Sequence, residues 1–229
     1  VEMKLGTGAG MHRAWWDLRF EPFPPADIED AGDEGATGAV PHHTYPEDNA
    51  PWAPPGVYTV RLTANGKSVT QPMTLRLDPR VKTPAPGLTQ LATLSRQMYD
   101  GAVATREANT NARVLVALLE KLSGPDAEAF KVRVESLAPA PARGGRPRFF
   151  GRGPAGPPTL ESASTALLAA AMAMQGADVA PTSAQVAACD RARAQAAEVM
   201  ARWTTLKTTG LAAFNAKRKA GQTPIIVPN

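Results

Sequence analysis

The chain has 229 residues, 43% of them hydrophobic and 20% charged, with a formal net charge of +4. That length is enough for one large domain or two small ones with packed cores. The single cysteine, Cys189, excludes an intramolecular disulfide framework and a cysteine-based zinc cage, and no apolar run of about 18 residues is present to span a membrane.

The charge is segregated. Between Ser136 and Thr159 stand Arg143, Arg146, Arg148 and Arg152 and no acid, so this one stretch accounts for the whole net charge. Between Ala26 and Ala50 stand Asp27, Glu29, Asp30, Asp33, Glu34, Glu47 and Asp48, with no Lys or Arg. What remains carries no broad basic face, which argues against nucleic acid as the partner. The chain opens at Val1 in mid-pattern, without an initiator Met or signal peptide, and reads as a fragment or processed product.

Glu2 to Leu5 reads as the tail of a strand, followed by a loop at Gly6, Gly8 and Gly10. Met11 to Phe20 then alternates: Ala14, Trp16, Leu18 and Phe20 fall on one face, and Arg13, Trp15, Asp17 and Arg19 on the other. A period of two predicts a half-buried strand with the first set inward. Glu21 to Ala53 has no periodicity and many Pro, Gly and Asp residues, and reads as one long acidic loop.

Pro54 to Asp78 predicts a hairpin. Tyr58, Val60 and Leu62 share one face of the first strand, and Val69, Met73, Leu75 and Leu77 one face of the second. Asn65-Gly66 between them suits a type I′ turn, because both residues tolerate positive φ. Pro72 cannot donate to a ladder and predicts an edge position or a bulge. Three strands do not close a sandwich, so the sheet is expected to dock on another element or to be completed by residues upstream of Val1.

From Leu88 the period becomes helical. Leu91, Leu94, Met98, Ala102, Ala112, Val116 and Leu119 predict one long helix, stopped at Gly124-Pro125. A short helix over Ala127 to Leu137 is expected with Asp126 as its cap, then a Pro-, Gly- and Arg-rich loop over 138–158. Leu160 to Gln175 predicts a third helix, ending at Gly176. Pro181-Thr182-Ser183 opens a fourth, whose Cys189, Ala192, Ala196, Val199, Trp203 and Leu206 form a narrow packing seam. Leu211 and Phe214 belong to a last short helix that stops at Gly221, and Pro224 to Pro228 is an extended apolar tail expected to dock back onto the protein.

Several groups of residues suggest chemistry. His42 and His43, with Asp48, Glu47 and the acidic run from Asp27 to Glu34, suit a divalent cation by ligand type, but their spacing matches no EF-hand or zincin pattern; a solvated acidic loop is the competing reading. Arg143 to Arg152 is similar in composition to RNA-binding Arg-Gly segments, or is a linker whose Phe149 and Phe150 tuck onto the helices. Trp15, Tyr45 and Trp52 suit contact with a sugar or a partner, while Trp16 is expected in the core. Asp17 and Arg19 read as a surface or interface ion pair. Cys189 reads as a buried thiol rather than a nucleophile, since no His neighbours it, and the Cys189, Val199, Trp203 and Leu206 seam is expected to pack helices or to join two copies of the chain. Ser162 and Ser164 lack a base, and Gly6-x-Gly8-x-Gly10 lacks the helix a phosphate loop needs. No catalytic constellation and no resident cofactor follow from the sequence.

Gly10 to Arg19, Ala53 to Leu62 and Gln71 to Arg80 together resemble the Ig-like module of a family of large exported bacterial proteins. Those proteins carry an N-terminal sortilin-like (BNR-repeat) β-propeller and are often labelled glycosyl-hydrolase-like. Gln175 to Asp178, Pro181-Thr182, Leu211 to Asn215, Gly221 and Pro224-Ile225 are similar to their helical tail. The resemblance implies an α+β chain: a small Ig-like antiparallel β module over 1–80, with its acidic loop at 21–53, followed by an α-helical bundle over 81–229, with its Arg/Gly/Pro-rich loop at 138–158. It implies export to the periplasm or beyond, and a non-catalytic accessory role toward the upstream propeller or another subunit. The hydrolase label belongs to the propeller, so no catalytic residue carries over. The competing expectation is a carbohydrate-binding or glycoside-hydrolase-associated module using the exposed tryptophans.

Overall fold

The computed structural model describes residues 1–3, 6, 8–24, 50–140 and 156–221. The acidic run, His42, His43, Tyr45 and Asp48, the arginine-rich stretch 143–152 with its two phenylalanines, and the apolar tail 224–228 all lie outside the described residues. Within them the chain is mixed α+β, with one two-stranded antiparallel sheet, helices from Ala85 onward and irregular segments before and between them.

Strands β1 (Gly56–Ala64) and β2 (Lys67–Leu75) form the expected hairpin. Its register runs from Gly56 opposite Leu75 to Ala64 opposite Lys67, leaving Asn65 and Gly66 as a two-residue turn at φ 49° and 73°. Positive φ at both positions is the type I′ geometry whose twist matches the strands. Pro72 lies on β2, which is an edge because the sheet has only two strands among the described residues.

Helices follow: α1 (Ala85–Leu119), α2 (Pro125–Glu135), α3 (Leu160–Met172), α4 (Ser183–Thr205) and α5 (Leu211–Ala220). Two start with reciprocal caps. At α4, Thr182 Oγ1 accepts the Gln185 N–H while Gln185 Oε1 accepts the Thr182 N–H. Thr159 and Ser162 exchange the same pair of bonds at α3. Each satisfies two of the amides that a helix start leaves orphaned. At α2 the cap is Gly124, at φ 116°, with Pro125 at the first helical position; Asp126 therefore sits inside the first turn rather than capping it. The expected break after Leu206 is absent. A single π turn, Leu206–Gly210, carries α4 directly into α5, with Gly210 at a helical φ of −64°.

The Met11–Phe20 strand does not form. An isolated antiparallel bridge between Arg19 and Trp52 is its nearest equivalent. Leu18 has φ 65°, and this left-handed residue reverses the alternation. Ala14 and Leu18 are exposed and Trp16 and Phe20 half-buried, whereas Arg19, expected outside, is 8% exposed.

The contacts define two compact units. One comprises residues 1–96 and 171–185, the other 97–170 and 186–229. The boundary falls inside α1 rather than at 80/81, because Leu88, Leu91 and Ser95 on its first turns line one cavity together with Leu75 and Leu77 at the base of the hairpin. The first unit buries small and polar groups: Ala50, Ala53, Ser95, Arg19, and Met174 as its largest apolar side chain. The second carries the conventional core, including Met98, Leu119, Val134, Leu137, Leu160, Leu167, Val199 and Trp203, all at most 5% exposed. Phe130 stacks on Phe214 at 4.9 Å between ring centres.

Candidate binding surface

Two features of the first unit are candidates for contact with a ligand or partner: a cavity and the hairpin beside it. The cavity has a volume of about 450 Å³. Its apolar wall comes from Leu75, Leu77, Leu88, Leu91 and Met174, and its polar wall from Ser95, Gln175, Asp78 and Asp178.

Gln175 organises that wall. Its Oε1 accepts the Trp52 N–H at 2.8 Å, and its Nε2 donates to Ser95 Oγ at 2.9 Å. One amide thus ties the 50–53 segment to the first turns of α1, satisfying the hydroxyl of a serine that is only 2% exposed. Thr83 Oγ1 donates to Asp178 O at 2.6 Å, a second polar tie within the unit. Gly87 provides the close approach: a Cβ there would stand 2.8 Å from Ala180 Cβ.

Trp52 lines the cavity and is 46% exposed. The Arg19 guanidinium lies 3.7 Å from its ring centre and donates from Nη1 to Ala50 O at 2.7 Å. Arg19 is therefore a buried strut under Trp52. Asp17 serves it differently, its Oδ1 accepting the Arg19 backbone N–H at 3.0 Å. Trp16 is half-buried, donating from Nε1 to Arg19 O at 2.7 Å and packing edge-on against Tyr58 at 5.5 Å. Trp15 is 78% exposed, with the Arg13 guanidinium 5.5 Å from its ring centre. Of the sequence candidates, Asp17, Arg19 and Trp52 come together; Trp15 stands apart from the cavity lining. Gln175 was missed by sequence reasoning, since nothing local marks a glutamine whose partners lie 80 and 123 residues away.

The hairpin is exposed along most of its length. Tyr58 and Met73, opposite one another at its base, are half-buried. Burial pushes the Tyr58 phenol above its ordinary pKa, and its hydroxyl donates to Pro54 O. Further out on the same face, Val60, Leu62 and Val69 are 47%, 49% and 65% exposed. On the opposite face Thr63 and Ser68 share a 2.7 Å hydroxyl contact across the strands.

In the second unit the seam residues and Arg218 are buried. Cys189, Val199, Trp203 and Leu206 are at most 7% exposed within the single chain. Burial raises the Cys189 thiol pKa, partly offset by the Arg193 charge. Arg218, 3% exposed, donates from Nη1 to Ser123 O at 3.1 Å and to Asp126 Oδ2 at 3.0 Å. Among the described residues no group of three His, Cys, Asp or Glu side chains is placed to hold a metal ion, and no helix is long and apolar enough to cross a membrane.

Comparison with protein-family models, with curated proteins and with solved structures gave no match to this chain.

Proposed function

We propose that this chain is a non-catalytic accessory region of an exported β-propeller protein, bracing the propeller or contacting another subunit. In this reading the hairpin belongs to an Ig-like module and the second unit is a helical bundle. The propeller context and export rest on the resemblance of the Gly10–Arg19, Ala53–Leu62 and Gln71–Arg80 segments. The observation that carries the contact role is the exposed apolar face of Val60, Leu62 and Val69 on a sheet that has only two strands among the described residues. A lone two-stranded hairpin is marginal in water, and clustered apolar side chains on an outer surface mark a contact site.

A second reading has its own support. Trp52 pairs an exposed indole with polar groups of the cavity wall, a combination that suits a sugar ring. One pair of measurements separates the two: titration calorimetry of the chain against a purified sortilin-type propeller, and a glycan array. Propeller binding that disappears in a Val60→Glu, Leu62→Glu variant supports the accessory role. Glycan binding that disappears in Trp52→Ala, with the propeller inert, replaces it with the carbohydrate reading.

A further inference from the structure

The two edges of the hairpin are chemically unequal, and the inequality follows from the turn. In a two-residue type I′ hairpin the pair flanking the turn exchanges both backbone hydrogen bonds, and such pairs then alternate with non-bonded ones. Ala64 and Lys67 flank the turn. The bonded pairs are therefore Ala64–Lys67, Leu62–Val69, Val60–Gln71, Tyr58–Met73 and Gly56–Leu75, and the residues between them direct N–H and C=O outward. The Thr63–Ser68 hydroxyl contact agrees, since side chains approach most closely at non-bonded pairs.

Pro72 pairs with Thr59, a non-bonded position. Its missing N–H thus falls on the outer edge of β2, where it costs the hairpin nothing and interrupts any third strand added there. The outer edge of β1 has no such block. Val57, Thr59, Arg61 and Thr63 present a continuous row of donors and acceptors, and no backbone bond joins that row to another segment among the described residues.

The side chains say what would pair with it. A strand laid along β1 places alternate residues beside Val60 and Leu62 on one face and beside Arg61 on the other. From Gly56 to Leu77 the hairpin carries Arg61, Lys67 and Arg76 and no acid. The next carboxylate, Asp78, is engaged by Arg80 through paired hydrogen bonds. A second copy of β1 would bring a second cationic hairpin against the first, which disfavours self-pairing.

We propose that the outer edge of β1, from Val57 to Thr63, is a strand-addition site for an extended segment of a partner protein in which apolar and acidic residues alternate. This rests on the accessory reading and gives its contact a mode: main-chain ladder bonds for affinity, Val60, Leu62 and Arg61 for selectivity.

The test selects displayed random decapeptides on the full chain and measures the binders against three variants. Arg61→Pro removes one outward N–H from β1; Thr70→Pro removes its counterpart from β2, directly opposite and already close to Pro72. Arg61→Glu keeps the backbone and reverses the charge. The expected binders alternate apolar and acidic residues, weaken by about tenfold or more in both Arg61 variants, and stay within about twofold in Thr70→Pro. A selection without binders, binders without alternation, or equal losses in Arg61→Pro and Thr70→Pro overturns the proposal. If propeller binding still depends on Val60 and Leu62 while Arg61→Pro leaves it intact, edge pairing falls and the accessory role stands.

Discussion

The Arg19 guanidinium lies 3.7 Å from the centre of the Trp52 ring while donating to the carbonyl of Ala50, a residue only 1% exposed. This arrangement makes a charged side chain part of the core of the first unit, which has few large apolar groups to spare. It also braces the indole that lines the cavity.

Arg19→Ala is therefore expected to destabilise the first unit. It removes a charge-assisted hydrogen bond and leaves the buried Ala50 carbonyl short of a donor, costing about 2–3 kcal/mol. The cation–π attraction between the guanidinium and the Trp52 ring disappears with it. Urea unfolding followed by tryptophan fluorescence measures this. A midpoint equal to that of the unchanged protein would show that the guanidinium is not a strut.

Gly87→Ala is expected to cost about 1–3 kcal/mol by overpacking. Its new methyl would stand 2.8 Å from Ala180 Cβ. Ala180→Gly, placed in the same chain, should restore part of the stability, and the coupling of a double-mutant cycle reports whether the two methyls collide.

Asp126 and Arg218 set an acid limit on the second unit. Desolvation pushes the Asp126 carboxyl up, but the hydrogen bond and charge of Arg218, with the backbone N–H groups of Asp126 and Ala127, hold it below the ordinary carboxylate value. A depressed folded pKa gives stability that is complete above the unfolded value, near about 3.9, and is lost as pH falls through the folded one. Asp126→Asn should remove this part of the acid dependence and lower the urea midpoint at neutral pH. Parallel acid profiles of the two proteins would contradict the assignment.

The helical seam is spent inside one chain. Trp203→Ala should cost about 3–5 kcal/mol, as for a large aromatic removed from a core, with no change in mass by light scattering across protein concentration. Cys189, 1% exposed and with its thiol pKa raised by burial, should react with a disulfide reagent only as the unit unfolds. Fast labelling of the native protein, or a concentration-dependent mass abolished by Trp203→Ala, would instead place this seam at an interface between copies.

Elements whose causes are local were legible from the order of residues alone. Asn65-Gly66 specified the type I′ turn and, through it, the register that puts Pro72 on an outer edge. Helical spacing located α1, α3 and α4, and Thr182 and Ser183 marked where α4 begins. Tertiary structure decided the rest. The alternation of Met11 to Phe20 matched a strand, yet Leu18 takes a positive φ and Arg19 turns inward, because its carbonyl and aromatic partners come from residues 50 and 52. The sequence pattern separated α4 from a last short helix, yet Gly210 continues the helix beside Phe130, where a Cβ would stand 3.3 Å from the ring. The cavity wall depends on Gln175 reaching Trp52 and Ser95 across the chain. Periodicity and turn chemistry report what a residue's neighbours in sequence allow. Which polar side chain is buried, and against what, depends on groups brought together only by folding.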